Sequence, residues 1–221
     1  NLNQVGEKFS TWNYAVNSTT TAVPTAVATG GVFTIPSTSG LSLGQAVTIT
    51  GTNSGSGSIN SYTSGTTYYI ISAVTTGGAV SVTLSTTRGS GTAVTTTAGT
   101  LSGLTLTFAA QIGPSMYTNG GIVNVTGTIG ANFDVCVSNS YGANMAYSVT
   151  LIINQGATPY MMNNFYIGAF NSYAGTAQTI NWAGGSAPSG TANKKDVITL
   201  SWLQSGVAAA TVVFGQLQSF G

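Results

Sequence analysis

Glu7, Asp134 and Asp196 are the only carboxylates in the chain, Lys8, Arg88, Lys194 and Lys195 the only cations, and Cys136 the only thiol; histidine is absent. Few catalytic centres can be built from that set. Glycoside hydrolysis needs two carboxyl groups facing each other across the bond. Glu7 falls in an irregular N-terminal stretch, Asp134 alternates away from Phe133, Val135 and Val137, and Asp196 belongs to a loop, so nothing in the sequence brings two together. A nucleophilic serine, suggested by Gly184-Gly185-Ser186-Ala187-Pro188-Ser189-Gly190, needs a base that is nearly always histidine. Lys194 or Lys195 in that role would have to lose its proton beside Asp196 in a polar turn. The segment reads instead as a long hairpin loop whose charges keep its tip hydrated. Cys136 sits among apolar residues and reads as a packed thiol with no base to activate it. The glycines of Gly51-Thr52-Asn53-Ser54-Gly55-Ser56-Gly57 suggest a phosphate cradle, but no lysine follows and Ser58-Ile59-Asn60-Ser61-Tyr62 has no helical period. That segment reads as a hairpin loop. The reading is therefore of a protein with no catalytic residue, no cofactor and no metal site.

Aromatic and amide side chains are more plentiful. Tyr160, Tyr166, Phe170, Tyr173 and Trp182 fall close together, with Asn163, Asn164, Asn171 and Asn181 interleaved. Aromatic platforms flanked by amides suit sugars, so Tyr160, Tyr166, Phe170, Tyr173, Trp182, Asn163 and Asn171 are candidate glycan contacts. The same residues suit a core or a subunit interface, because Tyr and Trp are ordinary strand residues and interface anchors. The triplets Asn17-Ser18-Thr19 and Asn124-Val125-Thr126 match glycosylation acceptors, but they arise by chance in an Asn- and Thr-rich chain, and Asn124 lies within a strand pattern.

Only 3% of the 221 residues are charged and the net charge is +1, against roughly 25% charged residues in ordinary globular chains. Four scattered cations cannot neutralise a run of phosphates, which removes the main driving term for nucleic-acid binding. They form no polybasic patch for a membrane surface, and Val207 to Phe214 is far shorter than the ~20 residues that span a bilayer. Residue 1 is Asn, without a basic and apolar leader behind it, so no signal peptide is expected. The polar surface must consist of hydroxyls, amides and backbone.

Alternation with a period of two dominates what remains. Val32-Phe33-Thr34-Ile35, Ala46 to Thr50, Thr67 to Ile71, Val80-Ser81-Val82-Thr83-Leu84 and Leu104-Thr105-Leu106-Thr107-Phe108 read as strands, separated by Gly-containing turns. Beyond residue 112, seven more are expected at Ile122 to Thr126, Phe133 to Val137, Tyr147 to Ile153, Phe165 to Ile167, Gln178 to Trp182, Val197 to Leu203 and Ala210 to Leu217. No apolar run has a helical period. Of 36 threonines 26 precede residue 112, and of 17 asparagines 11 follow it, so composition marks a boundary there, at the Gly113-Pro114 punctuation. The expected architecture is all-β: an N-terminal arm (1–27), a Thr/Gly-rich antiparallel barrel or sandwich (28–112) and an antiparallel, jelly-roll-like sandwich (113–221). The arm carries Phe9, Trp12 and Tyr14 without a period and is expected to lie across a neighbouring subunit. Strands with apolar residues on both faces, and edges without the usual protective Lys and Glu, argue for self-association.

Two stretches resemble structural proteins of tailed bacteriophages that infect marine cyanobacteria. Phe33 to Thr52, continuing through Gly55-Ser56-Gly57-Ser58-Ile59, Thr66 to Ile70, Ala98-Gly99-Thr100 and Gly103-Leu104-Thr105, is similar to a β-module of such virions. Leu151 to Thr158, then Ile180 to Asp196 and Phe214-Gly215-Gln216-Leu217, resembles the C-terminal domain of their tail-fibre-like proteins. The resemblance implies a non-enzymatic component on the virion exterior, as tail fibre, neck appendage or capsid decoration. It also implies assembly with other virion proteins and with itself as a homotrimer; nothing in the residues selects three. A carbohydrate-binding module for host surface glycans is the other reading, and a bacterial cell-surface subunit a third.

Overall fold

The computed structural model describes residues 11–15, 20–36, 41–113, 121–137, 144–168, 177–206 and 209–221. Every regular element among them is a β-strand, and the chain is all-β. Among the described residues, those from 20 to 111 form one compact unit, and 11–15 with those from 112 onward form a second. Strand β1 (Thr11–Ala15) belongs to the second unit. The first holds β2 (Thr20–Ala22), β3 (Ala26–Ala28), β4 (Val32–Pro36), β5 (Ala46–Gly51), β6 (Ser58–Ile59), β7 (Thr66–Thr76), β8 (Ala79–Ser85), β9 (Thr96–Thr97), β10 (Gly99–Thr100) and β11 (Leu104–Phe108), and β12 (Ala110–Ile112) runs across the boundary. The second continues with β13 (Ile122–Thr128), β14 (Phe133–Val137), β15 (Ala146–Asn154), β16 (Met162–Ile167), β17 (Ile180–Trp182), β18 (Lys195–Gly206) and β19 (Ala209–Phe220).

In the first unit eight strands form one antiparallel sheet in the order β10-β3-β4-β8-β7-β5-β11-β2. The two-residue alternation does the sorting: Val80, Val82 and Leu84 of β8 are buried while Ser81 and Thr83 between them are half-exposed, and Leu104, Leu106 and Phe108 repeat the pattern in β11. Phe33, Ile35, Val47, Ile49, Tyr68 and Ile70 join them in a single cluster, so the sheet wraps around its own apolar face. The β7–β8 hairpin closes through Gly77 and Gly78, both at positive φ (58° and 85°), the geometry a two-residue turn between twisted strands demands. Arg88, the only charged residue of this unit, is buried. Its Nη2 donates to Gln111 Oε1 at 3.2 Å, and its guanidinium carbon lies 6.0 Å from the centre of the Tyr69 ring.

The second unit is built on a six-stranded sheet of order β1-β13-β15-β18-β19-β17. One face is apolar: Val123 and Val125, Val149, Leu151 and Ile153, Ile198, Leu200 and Trp202, and Val213 are all buried. Strands β14 and β16 cover it, bringing Phe133, Val135, Phe165 and Ile167 to zero exposure. Trp202 ties the layers together, stacked on Tyr147 of its own sheet (centroids 5.6 Å apart) and meeting Phe165 of the covering pair edge-on at 5.3 Å. Its indole Nε1 donates to Gln204 Oε1 at 3.1 Å, which gives the buried N–H a partner.

Three expectations are corrected here. Residues 1–27 do not make an arm among the described residues: β1 is an edge strand paired in parallel with β13 of its own chain, with Trp12 level with Val123 and Tyr14 level with Val125, while β2 and β3 belong to the sheet of the first unit. Phe9 lies outside the described residues. The second unit is not purely antiparallel either. β1–β13, β13–β15, β14–β16 and β17–β19 run parallel, while β15–β18 and β18–β19 are antiparallel. An alternation of two is common to both directions, so periodicity could not choose. Finally, residues 183–194 do not close a hairpin, because β19 stands between β17 and β18.

Candidate functional site

Candidate contacts chosen from the sequence come to rest on different elements. Tyr160 is half-buried in the β15–β16 connection, where its backbone is pinned from both sides: Gln155 Nε2 donates to its carbonyl at 2.7 Å and its N–H donates to Gln155 Oε1 at 2.9 Å. Tyr166 is buried in β16, level with Cys136, and cannot offer a ring face to a ligand. Asn163 is exposed on the same strand. Trp182 is half-buried on β17, with its ring against the backbone of Gly215: a Cβ added there would lie 2.7 Å from Trp182 Cε3 and 2.7 Å from Ile180 Cγ2. Phe170, Asn171 and Tyr173 lie outside the described residues. The structure thus separates Tyr160, Tyr166 and Trp182 rather than assembling them.

The carboxylates are separated too. Asp134 Oδ1 accepts from Asn164 Nδ2 at 2.9 Å, across the β14–β16 pair. Asp196, expected on a hydrated loop tip, is 0% exposed. Its Oδ2 accepts from Gln155 Nε2 (2.9 Å) and from the Thr191 backbone N–H (3.0 Å), and its Oδ1 accepts from Ser219 Oγ (2.6 Å). Three donors from three segments replace water, and that is how a carboxylate is kept inside. This arrangement fastens the connection before β18 to the end of β19. Glu7 lies outside the described residues. Among the described residues, no three of Cys, Asp and Glu gather as metal ligands.

What the structure does assemble is the other face of the six-stranded sheet, where the register lines up side chains in rows. Ser148 of β15, Ser201 of β18, Phe214 of β19 and Asn181 of β17 form one row, and Thr150, Thr199 and Gln216 the next. Ser201 Oγ donates to Ser148 Oγ at 3.2 Å, and the Thr150 and Thr199 hydroxyls are 3.3 Å apart. Asn181 is held by its Nδ2, which donates to the Val213 carbonyl at 3.1 Å. Phe214 is 58% exposed in the middle of this hydroxyl and amide field. A shallow groove of about 320 Å³ runs beside it, with Asn181, Thr199, Ser201, Phe214 and Gln216 in its lining. Further along the same face, Leu203 (41% exposed) is level with Ala146 and Val212, which makes a small apolar patch.

Of the groove's lining, Trp182 and Asn181 stand out in the sequence as a candidate aromatic contact and a neighbouring amide. The signal was present in phase: Val213, Gly215 and Leu217 share the inward phase of β19, which turns Phe214 and Gln216 outward, and Ile198, Leu200 and Trp202 do the same for Thr199 and Ser201. No family model, curated protein or solved structure matches the chain.

Proposed function

We propose that the chain is a non-enzymatic structural protein of a phage virion, displayed on the particle exterior as tail fibre, neck appendage or capsid decoration. It acts by packing against copies of itself, as a trimer, and against other virion proteins. The observation that carries this reading is the surface: an all-β chain with 3% charged residues leaves Leu203 41% exposed and Val212 half-exposed side by side on one sheet face. Association through such a surface is driven by apolar burial and is barely screened by salt. The resemblance to cyanophage virion proteins supplies the setting and the number three. Light scattering tests self-association: three times the 22.2 kDa chain mass is expected, falling toward monomer in Leu203→Asp. A monodisperse monomer at micromolar concentration would refute self-association, and an antibody against the chain that fails to label purified particles would refute the virion assignment.

A second reading, contact with host surface glycans, is favoured by the uncharged groove beside Phe214. It stands whether or not the chain assembles.

A further inference from the structure

We infer that the groove beside Phe214 is a binding site for an uncharged saccharide. The inference rests on the glycan reading and gives it a site and a ligand class. Four features converge on it.

A pyranose presents two surfaces, a patch of C–H groups on its ring face and a rim of hydroxyls. Its usual complement is an exposed aromatic face beside amide and hydroxyl groups. Phe214 supplies the aromatic. It cannot turn inward, because Gly215 and Val213 hold the inward phase, and it is level with Asn181 on one side and Ser201 on the other. Asn181, Gln216, Thr199 and Ser201 supply donors and acceptors of both kinds on either side of the ring.

The lining contains no Asp, Glu, Lys or Arg. Uronic acids, sialic acids and phosphates would lose their hydration there with no cation to compensate, whereas a neutral sugar exchanges water hydrogen bonds for protein ones at little cost. With no carboxylate in the lining, recognition would not depend on a calcium ion bridging protein and sugar hydroxyls.

The site is also pre-ordered. Asn181 is tied to Val213, Ser201 to Ser148 and Thr199 to Thr150, so little side-chain freedom remains to be lost on binding. Neighbouring strands lie roughly 4.8 Å apart, about the length of one pyranose ring. The row Ser201, Phe214 and Asn181 across β18, β19 and β17 is therefore spaced at about one sugar ring per strand, with the ring on Phe214 flanked by a hydroxyl and an amide.

The test uses the full chain on an array carrying neutral and acidic oligosaccharides in separate sets, followed by titration calorimetry with the best neutral ligand. Wild-type protein should bind neutral glycans, equally in EDTA. Phe214→Ala should weaken that binding at least tenfold with an unchanged far-UV circular dichroism spectrum, since Phe214 is exposed. Asn181→Ala with Gln216→Ala should weaken it several-fold and leave the molecular mass unchanged. Binding confined to acidic glycans would overturn the ligand class while leaving the glycan reading intact. Neutral binding that survives all three substitutions would overturn the site. No binding on either set overturns both, and if Phe214→Ala then also lowers the molecular mass, the groove is a contact between copies of the chain.

Discussion

Replacing Asp196 separates hydrogen bonding from charge in the interior of the second unit. Asp196→Ala removes the acceptor of three charge-assisted bonds, each of order 1.5–3 kcal/mol. The sum is too large as an expectation, for two reasons visible in the structure. Gln155 Nε2 keeps the Tyr160 carbonyl as a partner at 2.7 Å, and Ser219 Oγ keeps the Thr191 hydroxyl at 2.8 Å, which leaves the Thr191 N–H as the donor that loses most. The mutant is also relieved of desolvating a carboxylate. The expected loss is about 3–4 kcal/mol. Asp196→Asn behaves differently. With its Oδ1 toward Gln155 and Thr191 it accepts both bonds, and its Nδ2 donates to Ser219 Oγ, whose own hydrogen turns to the Thr191 hydroxyl. Every group keeps a partner, and the cost should be only about 1 kcal/mol. Urea unfolding followed by tryptophan fluorescence reads both values, because Trp202 is buried in the same unit. Equal losses in the two variants would show that the charge itself carries the stability. An Asp196→Ala midpoint within about 0.5 kcal/mol of wild type would show that the network carries none.

Gly215→Ala should cost about 1–3 kcal/mol and shift Trp182 fluorescence, since the added methyl meets the rigid indole and Ile180 at 2.7 Å; an unshifted spectrum with full stability would contradict the packing of β17 on β19. Trp202→Ala, which empties the space between Tyr147 and Phe165, should cost about 3–5 kcal/mol by thermal or urea unfolding, and a loss under 1 kcal/mol would be incompatible with that contact. Burial raises the Tyr68 hydroxyl pKa above its ordinary value of 10.0, with the nearby Tyr62 adding to the rise and a hydrogen bond with Thr66 opposing it. The folded state therefore holds this proton more tightly than the unfolded chain does. Stability is full below pH 10 and falls as pH climbs from there through the raised value. Alkaline melts of wild type and Tyr68→Phe should diverge above pH 10, and coincident curves would refute the linkage.

Strand positions were legible from the sequence because a half-buried strand writes its own alternation: Val80, Val82 and Leu84 or Leu104, Leu106 and Phe108 admit no other reading. Pairing was not, because it depends on partners far along the chain. Thr11–Ala15 joins β13 more than a hundred residues away, and its local pattern is silent about that. Asp196 was misplaced for the same reason. Taken alone, Lys194-Lys195-Asp196 is a polar cluster, and only the fold brings Gln155 and Ser219 to it. That correction bears on function. Of the few charges the chain possesses, Arg88 is buried in one unit and Asp196 in the other, so the exterior carries even less charge than the composition suggests. Two of the groups that usually keep a protein apart from its neighbours are held inside instead. The outer faces are left to hydroxyls, amides and isolated aromatics, and contacts made through them, whether with another subunit or with a neutral sugar, should change little between low salt and the ionic strength of seawater.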